Sequence, residues 1–440
     1  RPNGRPHKIQ KPKEGGLHAL FKEDSWLGRN WGTILILVAI IFIALFVRSY
    51  FGYSTAVDNG FLVAGGSDSY YHQRVIGYVE DTGNHLVNDP MLNYPMGVRN
   101  MRPPLYDWSV AVTSMFMSGV TGMSITDSTG FTLLSSTAFW GALTCIPVYM
   151  LTRAAFGNRA GLLAALLFAI MPGNITRSVF ADADHDAMIL FFVIFGLYFL
   201  FRSLANIKGT RWVENWKNVT SIRTGVKSYM ETNRRSLIYA MLGGVCFATV
   251  AMIWTGYTYM LIIVLVYFLV QVLINRFRNI DSMGAFFVIG AMLLTGFVLM
   301  APLYWQLSYW NQWYDVPFYL FLATMFVGGL FVASRDYPWT LVIPVVVGII
   351  ILALVAVFFL APNLFEAIVT GQGYLVKSKL YSTISEATAP TFSNLAMSFG
   401  VVTFWLAIIG LIWAAVKIPK DPSPYLVFIV VWMAVSMYMA

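Results

Sequence analysis

Phe180-Ala181-Asp182-Ala183-Asp184-His185-Asp186-Ala187-Met188 sets three carboxylates and an imidazole between two long apolar runs, 160–176 and 187–203. Hydrocarbon on both sides makes such a cluster costly unless it faces water, a cation or a polar substrate. Acids at i, i+2 and i+4 suit a hard divalent ion, which takes oxygen ligands and bridges readily to phosphate. Any one of these acids reads equally well as part of a solvated loop. The four groups together read as a site.

The flanking runs decide the fold. Of 440 residues, 58% are hydrophobic and 11% charged, against roughly 25% charged in a soluble domain. Apolar runs long enough to span recur along the whole length, so the chain is an all-α polytopic membrane protein and not a singly anchored one. The net charge of +8 then reports topology, not a nucleic-acid footprint. Cys145 and Cys246 fall inside apolar runs and read as packing residues, with no disulfide expected.

Charge arithmetic sets the orientation. Residues 1–30 carry seven Lys/Arg against three acids, a basic tail that belongs in the cytoplasm ahead of a span at 31–50. Later candidate spans are 131–152, 160–176, 187–203, 237–254, 257–275, 283–304, 316–334, 340–360, 397–416 and 425 onward. The apolar patch 106–123, which contains Asp107, is the ambiguous one. If it does not cross, the basic segments 153–159, 204–236, 276–278 and 417–420 all fall inside, and if it crosses they all fall outside. The positive-inside rule selects the first arrangement. The expectation is about eleven transmembrane helices in one multi-span unit, 31–440, with a long first external loop (51–130) and a long fifth one (361–396). The chain opens on Arg1-Pro2-Asn3-Gly4 and stops at Met439-Ala440 inside an apolar run, so it reads as cut at both ends, with no signal peptide before the first span.

On this topology three scattered groups of acids emerge on one side, the behaviour expected of a single active site. Asp68 lies in Gly65-Gly66-Ser67-Asp68-Ser69-Tyr70-Tyr71-His72-Gln73-Arg74, where two glycines allow an unusual backbone path. Gly-Ser-Asp is also ordinary turn chemistry. Thr383-Ile384-Ser385-Glu386 lies in the fifth loop, long enough to be a functional lid, although Glu386 alone reads as a surface residue. The aromatics from Trp254 to Tyr259 read as an interfacial belt.

These motifs resemble, in order and sidedness, those of the catalytic subunit of oligosaccharyltransferase, the membrane enzyme that moves a lipid-linked glycan onto asparagine. The stretch around Asp68 looks like the first Asp motif of its first external loop. Arg177-Ser178-Val179-Phe180-Ala181-Asp182-Ala183-Asp184-His185-Asp186 looks like the second, with Ala181 where a glycine is usual and Asp182 an additional acid. Thr383-Ile384-Ser385-Glu386 looks like the Thr-Ile-x-Glu of prokaryotic members, and the Asp-His-Asp variant leans toward the archaeal single-subunit type. The resemblance implies a GT-C type glycosyltransferase fold. It also implies a soluble C-terminal domain carrying Trp-Trp-Asp-Tyr-Gly, which is not found within these 440 residues.

The resemblance further implies a mechanism. Asp68 and Glu386 would accept hydrogen bonds from the acceptor amide, freeing its nitrogen lone pair for attack. Mn²⁺ or Mg²⁺ would sit on Asp68, Asp184 and Asp186 and neutralise the leaving phosphate. Asp182 and His185 would be outer ligands or orienters, and Arg177 a charge-balancing group or an interface anchor. Arg102 would be a candidate contact to the donor phosphate. Implied partners are a polyprenyl (dolichyl) lipid-linked oligosaccharide, an Asn-x-Ser/Thr polypeptide and membrane lipid, with the enzyme working as a single subunit. Two other readings fit part of the pattern. A protein O-mannosyltransferase-like enzyme accounts for acids in the first external loop but not for Glu386. An ion-coupled transporter would carry its acids near mid-membrane.

Overall fold

The computed structural model describes residues 26–61, 63–360, 362, 365 and 391–439. Helix α1 (Trp26–Ser49) is followed by a short α2 (Tyr53–Asp58) and by α3 (Gly66–Thr82). Two-residue strands β1 (Asn88–Asp89) and β2 (Val98–Arg99) pair antiparallel, and α4 spans Leu105–Thr121. The chain then runs through α5 (Ile125–Leu143), α6 (Cys145–Phe156), α7 (Asn158–Ile170) and a single turn α8 (Pro172–Thr176). After the acidic loop come α9 (Asp186–Ala205), α10 (Val219–Thr232), α11 (Arg234–Ile253), α12 (Thr258–Phe277) and α13 (Met283–Gln306). The remainder is α14 (Asp315–Ala333), α15 (Trp339–Leu360), α16 (Phe392–Phe399), α17 (Val401–Lys417) and α18 (Pro424–Met439).

Helices dominate because a backbone in hydrocarbon must satisfy every N–H and C=O within its own segment. Among the described residues, eight helices are long and apolar enough to cross a membrane, or nine if the pair α16–α17, bent by 106°, counts as one. This makes the chain a multi-pass membrane protein. The expected spans 160–176 and 425 onward meet shorter apolar helices, Asn158–Ile170 and Pro424–Tyr438. At 1.5 Å per residue, the 13 residues of α7 reach about 20 Å, less than a hydrocarbon core of ~30 Å. Among the described residues, length and composition support eight or nine spans, and the expected eleven is not confirmed. The expected span 131–152 is part of a longer 32-residue apolar rod, Ile125–Phe156.

The ambiguous patch 106–123 is not among these spans. Helix α4 buries Tyr106, Asp107, Val110, Ala111 and Ser114 on one face and exposes Val112, Met115, Phe116 and Val120 on another. Residues 112, 116 and 120 recur every fourth position, an apolar stripe suited to lying along a bilayer surface.

The core is built around α9, α11 and α13, which pack closely. A Cβ at Gly244 would lie 2.4 Å from the Met292 carbonyl oxygen, the close backbone approach that small residues permit between membrane helices. Outer helices α1 and α15 instead expose Leu35, Phe42, Phe46, Leu352 and Phe359, surface that only lipid would cover. Cys145 and Cys246 are buried free thiols. The belt expected at Trp254–Tyr259 is corrected at Tyr257, which is fully buried and donates its hydroxyl proton to the Trp313 carbonyl. Its ring packs against Phe247 and Tyr304, so aromatic burial outweighs the interfacial preference.

Connecting segments collect at two ends. At one, the segments 51–130, 177–186 and 305–315 meet, with Tyr309 donating its hydroxyl to the Asn100 carbonyl at 2.7 Å. At the other, basic segments join: the Arg211 N–H donates to Asp281 at 2.9 Å, Arg335 pairs with Asp281 at 3.3 Å, and Arg278 reaches the Pro419 carbonyl.

Candidate active site

The acidic loop is held by its backbone before its side chains do anything. The Phe180 N–H donates to the Arg48 carbonyl at 2.8 Å, and that of Ala181 to the Leu134 carbonyl at 3.1 Å. The Ala64 N–H donates to the Ala181 carbonyl at 2.9 Å, and Thr137 Oγ1 to the Val179 carbonyl at 2.9 Å. The loop is thus tied at once to the end of α1, to α5 and to the approach to α3. Arg48 adds side-chain bonds from Nε to Ser178 Oγ (2.9 Å) and from Nη1 to the Ala44 and Ala169 carbonyls (3.0 and 2.9 Å).

These ties press the two acid motifs together at Gly65. A Cβ there would lie 2.0 Å from Ser69 Oγ and 2.5 Å from Asp182 Oδ1. Gly66 takes φ +73° with open space around it. Gly65→Ala is expected to destabilise the protein by about 1–3 kcal/mol, because the overpacking pushes the two motifs apart. Gly66→Ala should cost only the backbone term, about 1–2 kcal/mol. Thermal unfolding of the two variants in detergent measures the difference. Ala181 adopts φ +82° at the position where the resembled family usually has glycine. Ala181→Gly should therefore stabilise the loop by up to about 1 kcal/mol, seen as a raised Tm.

Asp68 and His72 are four residues apart on α3 and so share a face. Asp68 Oδ1 accepts from Arg102 Nη2 at 2.6 Å, and that guanidinium lies 4.4 Å over the Tyr71 ring. Arg102, singled out for a phosphate, is here the counter-ion of Asp68. His72 is buried. Its Nδ1 is 2.6 Å from Asp107 Oδ1, while its Nε2 is 3.1 Å from His185 Nδ1 and 3.6 Å from Asp184 Oδ1. Asp184 Oδ1 also meets His185 Nδ1 at 2.6 Å and accepts from the His185 backbone N–H at 2.7 Å.

Electrostatics follow from this crowding. Burial disfavours the His72 imidazolium, yet attraction and hydrogen bonding to Asp107, joined by Asp184, outweigh it and push His72 up to about 9. Burial also works against the Asp184 carboxylate, but bonds from His185 and His72 hold it well below the usual range. For Asp182, burial and then the charge of Asp184 raise the carboxyl to about 6, with Arg177 opposing.

Among the described residues, His72, Asp184 and His185 offer ligand atoms that all lie within 4.8 Å of one another. Two imidazole nitrogens and a carboxylate oxygen fit a borderline divalent ion. Of the residues expected to hold metal, this group contains Asp184 but neither Asp68 nor Asp186. Asp186 stands in the first turn of α9, where the helix dipole favours a carboxylate. Arg177 is exposed at the end of α8. Thr383, Ile384, Ser385 and Glu386 lie outside the described residues. Sequence reading passed over His72 and Asp107. The i, i+4 spacing of Asp68 and His72 was the available signal for the first; Asp107 has none, since its partner is 35 positions away.

Comparisons with known proteins now bear on this geometry. Dolichyl-phosphooligosaccharide-protein glycotransferase 3 of Archaeoglobus fulgidus is 22% identical over 445 residues, covering 95% of this chain and 48% of the relative. The dolichyl-monophosphooligosaccharide–protein glycotransferase AglB of Haloferax volcanii is 25% identical over 428 residues, covering 89% and 38%. The solved A. fulgidus oligosaccharyltransferase AglB, in complex with an inhibitory peptide and a dolichol-phosphate, shares the fold with a TM-score of 0.72 at 18% identity, over 94% of this chain and 48% of that one. The chain spans about half the length, or less, of the curated relatives it matches. The family profile described as oligosaccharyl transferase STT3, N-terminal, matches residues 33–440, and the chain belongs to that family.

Proposed function

We propose that this chain is the multi-span catalytic unit (31–440), behind a cytoplasmic basic tail (1–30), of an oligosaccharyltransferase. It transfers a glycan from a dolichyl phosphate or diphosphate carrier to asparagine in Asn-x-Ser/Thr sequons on the external face of the membrane. The observation that carries this reading is the joining of the two acid motifs, Asp68–His72 with Asp184–His185, inside a chain matched by the family profile over 33–440. The dolichol-phosphate and peptide in the similar A. fulgidus structure support the donor and acceptor classes. The unit would work as a single subunit.

Asp184, with His185, Asp186 and Asp68 around it, would hold Mn²⁺ or Mg²⁺. When bound, such an ion supplies Lewis-acid neutralisation of the leaving phosphate. Asp68 is 39% exposed, open to an incoming amide N–H, and its ion pair with Arg102 orients it. Glu386 would take the second N–H. Asp182 packs against Gly65 and spaces the motifs, and Arg177 balances the charge of Asp182.

The test is the full-length protein with a labelled Asn-x-Thr peptide and a lipid-linked donor. Glycosylated asparagine and dependence on a divalent metal are expected. Transfer to serine or threonine in place of asparagine would overturn the reading in favour of an O-mannosyltransferase-like enzyme.

A further inference from the structure

The pair His72–Asp107 is assigned no role by the motifs or by the family match. His72 reaches the loop from α3, and Asp107 reaches His72 from α4, so the pair links two helices of the first loop to the second acid motif. Both side chains are buried, at 4% and 1% exposure, which rules out a solvated surface pair. Asp107 Oδ1 is 2.6 Å from His72 Nδ1, and Asp107 Oδ2 has no hydrogen-bond partner among the described residues. The carboxylate's hydrogen bonding is spent on one imidazole nitrogen. A carboxylate on Nδ1 sets that nitrogen as the N–H donor and turns the other toward whatever lies beyond.

What lies beyond is the group at Asp184. His72 Nε2 is 3.1 Å from His185 Nδ1 and 3.6 Å from Asp184 Oδ1. Two ligands at roughly 2.1 Å on adjacent octahedral positions sit about 3.0 Å apart. The ring of His72 is locked between Tyr71, Tyr106 and His185, with centroids at 5.3, 4.8 and 5.2 Å.

We infer that His72, releasing its Nε2 proton as the ion binds, is a nitrogen ligand of the metal held by Asp184, and that Asp107 is the positioning residue that keeps the remaining proton on Nδ1. The inference rests on the reading of this cluster as a metal site and adds to it a consequence for metal choice. Imidazole nitrogen suits first-row transition ions, whereas Mg²⁺ prefers oxygen and keeps its waters. His72 therefore tilts the site toward Mn²⁺ and its heavier neighbours and away from Mg²⁺.

The experiment is Mn²⁺ binding to the purified full-length protein in detergent, followed by electron paramagnetic resonance, with Mg²⁺ affinity from competition. Pulsed measurements on unmodified protein with ¹⁵N-labelled histidine should show imidazole nitrogen coupled to Mn²⁺. In His72→Gln one coupled nitrogen should disappear, and Mn²⁺ affinity should fall 10–100-fold with Mg²⁺ affinity changed less than about threefold. Asp107→Asn leaves the imidazole in place and should weaken Mn²⁺ about tenfold. Mn²⁺ bound to the unmodified protein without histidine coupling overturns the inference while leaving the metal site standing. So does an equal loss of Mn²⁺ and Mg²⁺ in a folded His72→Gln. No Mn²⁺ binding at all overturns both the inference and the metal-site reading beneath it.

Discussion

Asp184→Ala in the full-length protein is expected to slow glycan transfer to an Asn-x-Thr peptide by about three orders of magnitude. One oxygen of this side chain meets His185 Nδ1 at 2.6 Å, the His185 N–H at 2.7 Å and His72 Nε2 at 3.6 Å. Removing it leaves two imidazoles 3.1 Å apart with no anion between them and takes the carboxylate out of the cluster His72–Asp184–His185. A Lewis-acid role is worth several kcal/mol, and each 1.36 kcal/mol is about tenfold in rate, hence the size of the loss. Asp182→Ala is the control. That carboxyl borders the group without belonging to it, so transfer should fall less than about tenfold. Initial rates at saturating metal, alongside the Tm of each variant, separate lost chemistry from lost fold. Asp184→Ala turning over at the unmodified rate would remove Asp184 from the mechanism.

The second large effect is on stability. Arg48→Ala is expected to cost about 3–5 kcal/mol. Arg48 is 1% exposed at the end of α1, and its guanidinium binds Ser178 Oγ and the carbonyls of Ala44 and Ala169. Ala169 lies in α7 and Ser178 just after α8, both far along the chain from α1, so truncation leaves a cavity and buried acceptors without donors where α1 meets the acidic loop. Arg48→Met fills most of the volume and supplies no donors. If the hydrogen bonds matter most, Arg48→Met unfolds nearly as easily as Arg48→Ala; near-normal stability of Arg48→Met would show that Arg48 acts by filling space. Detergent-solubilised thermal unfolding gives the order. Limited proteolysis around 177–186 tests whether the acidic loop loosens with it.

The site was legible only in part, for reasons that differ residue by residue. Asp68 and Asp184 stood out because charges beside apolar runs are costly wherever the chain goes. Their motifs do meet, yet through His72, which an Asp-centred reading passed over. Arg102, read as a candidate contact to the donor phosphate, pairs with Asp68 in the structure, a contact across 34 positions that the sequence does not announce. Tyr257 looked interfacial because it follows a span and neighbours Trp254; only the crossing of α11, α12 and α13 buries it.

The primary sequence by itself determined the class of the protein, the positions of most of its spans and the segregation of basic and acidic loops. Those properties are local, since each membrane helix satisfies its own backbone and a run of apolar residues is enough to require one. Tertiary structure alone decided which polar groups converge. His72 meets Asp107 across 35 positions, His185 across 113, and Arg48 meets Ser178 across 130. Such contacts depend on how helices pack and where a loop is tied, and packing leaves no periodic trace along the chain.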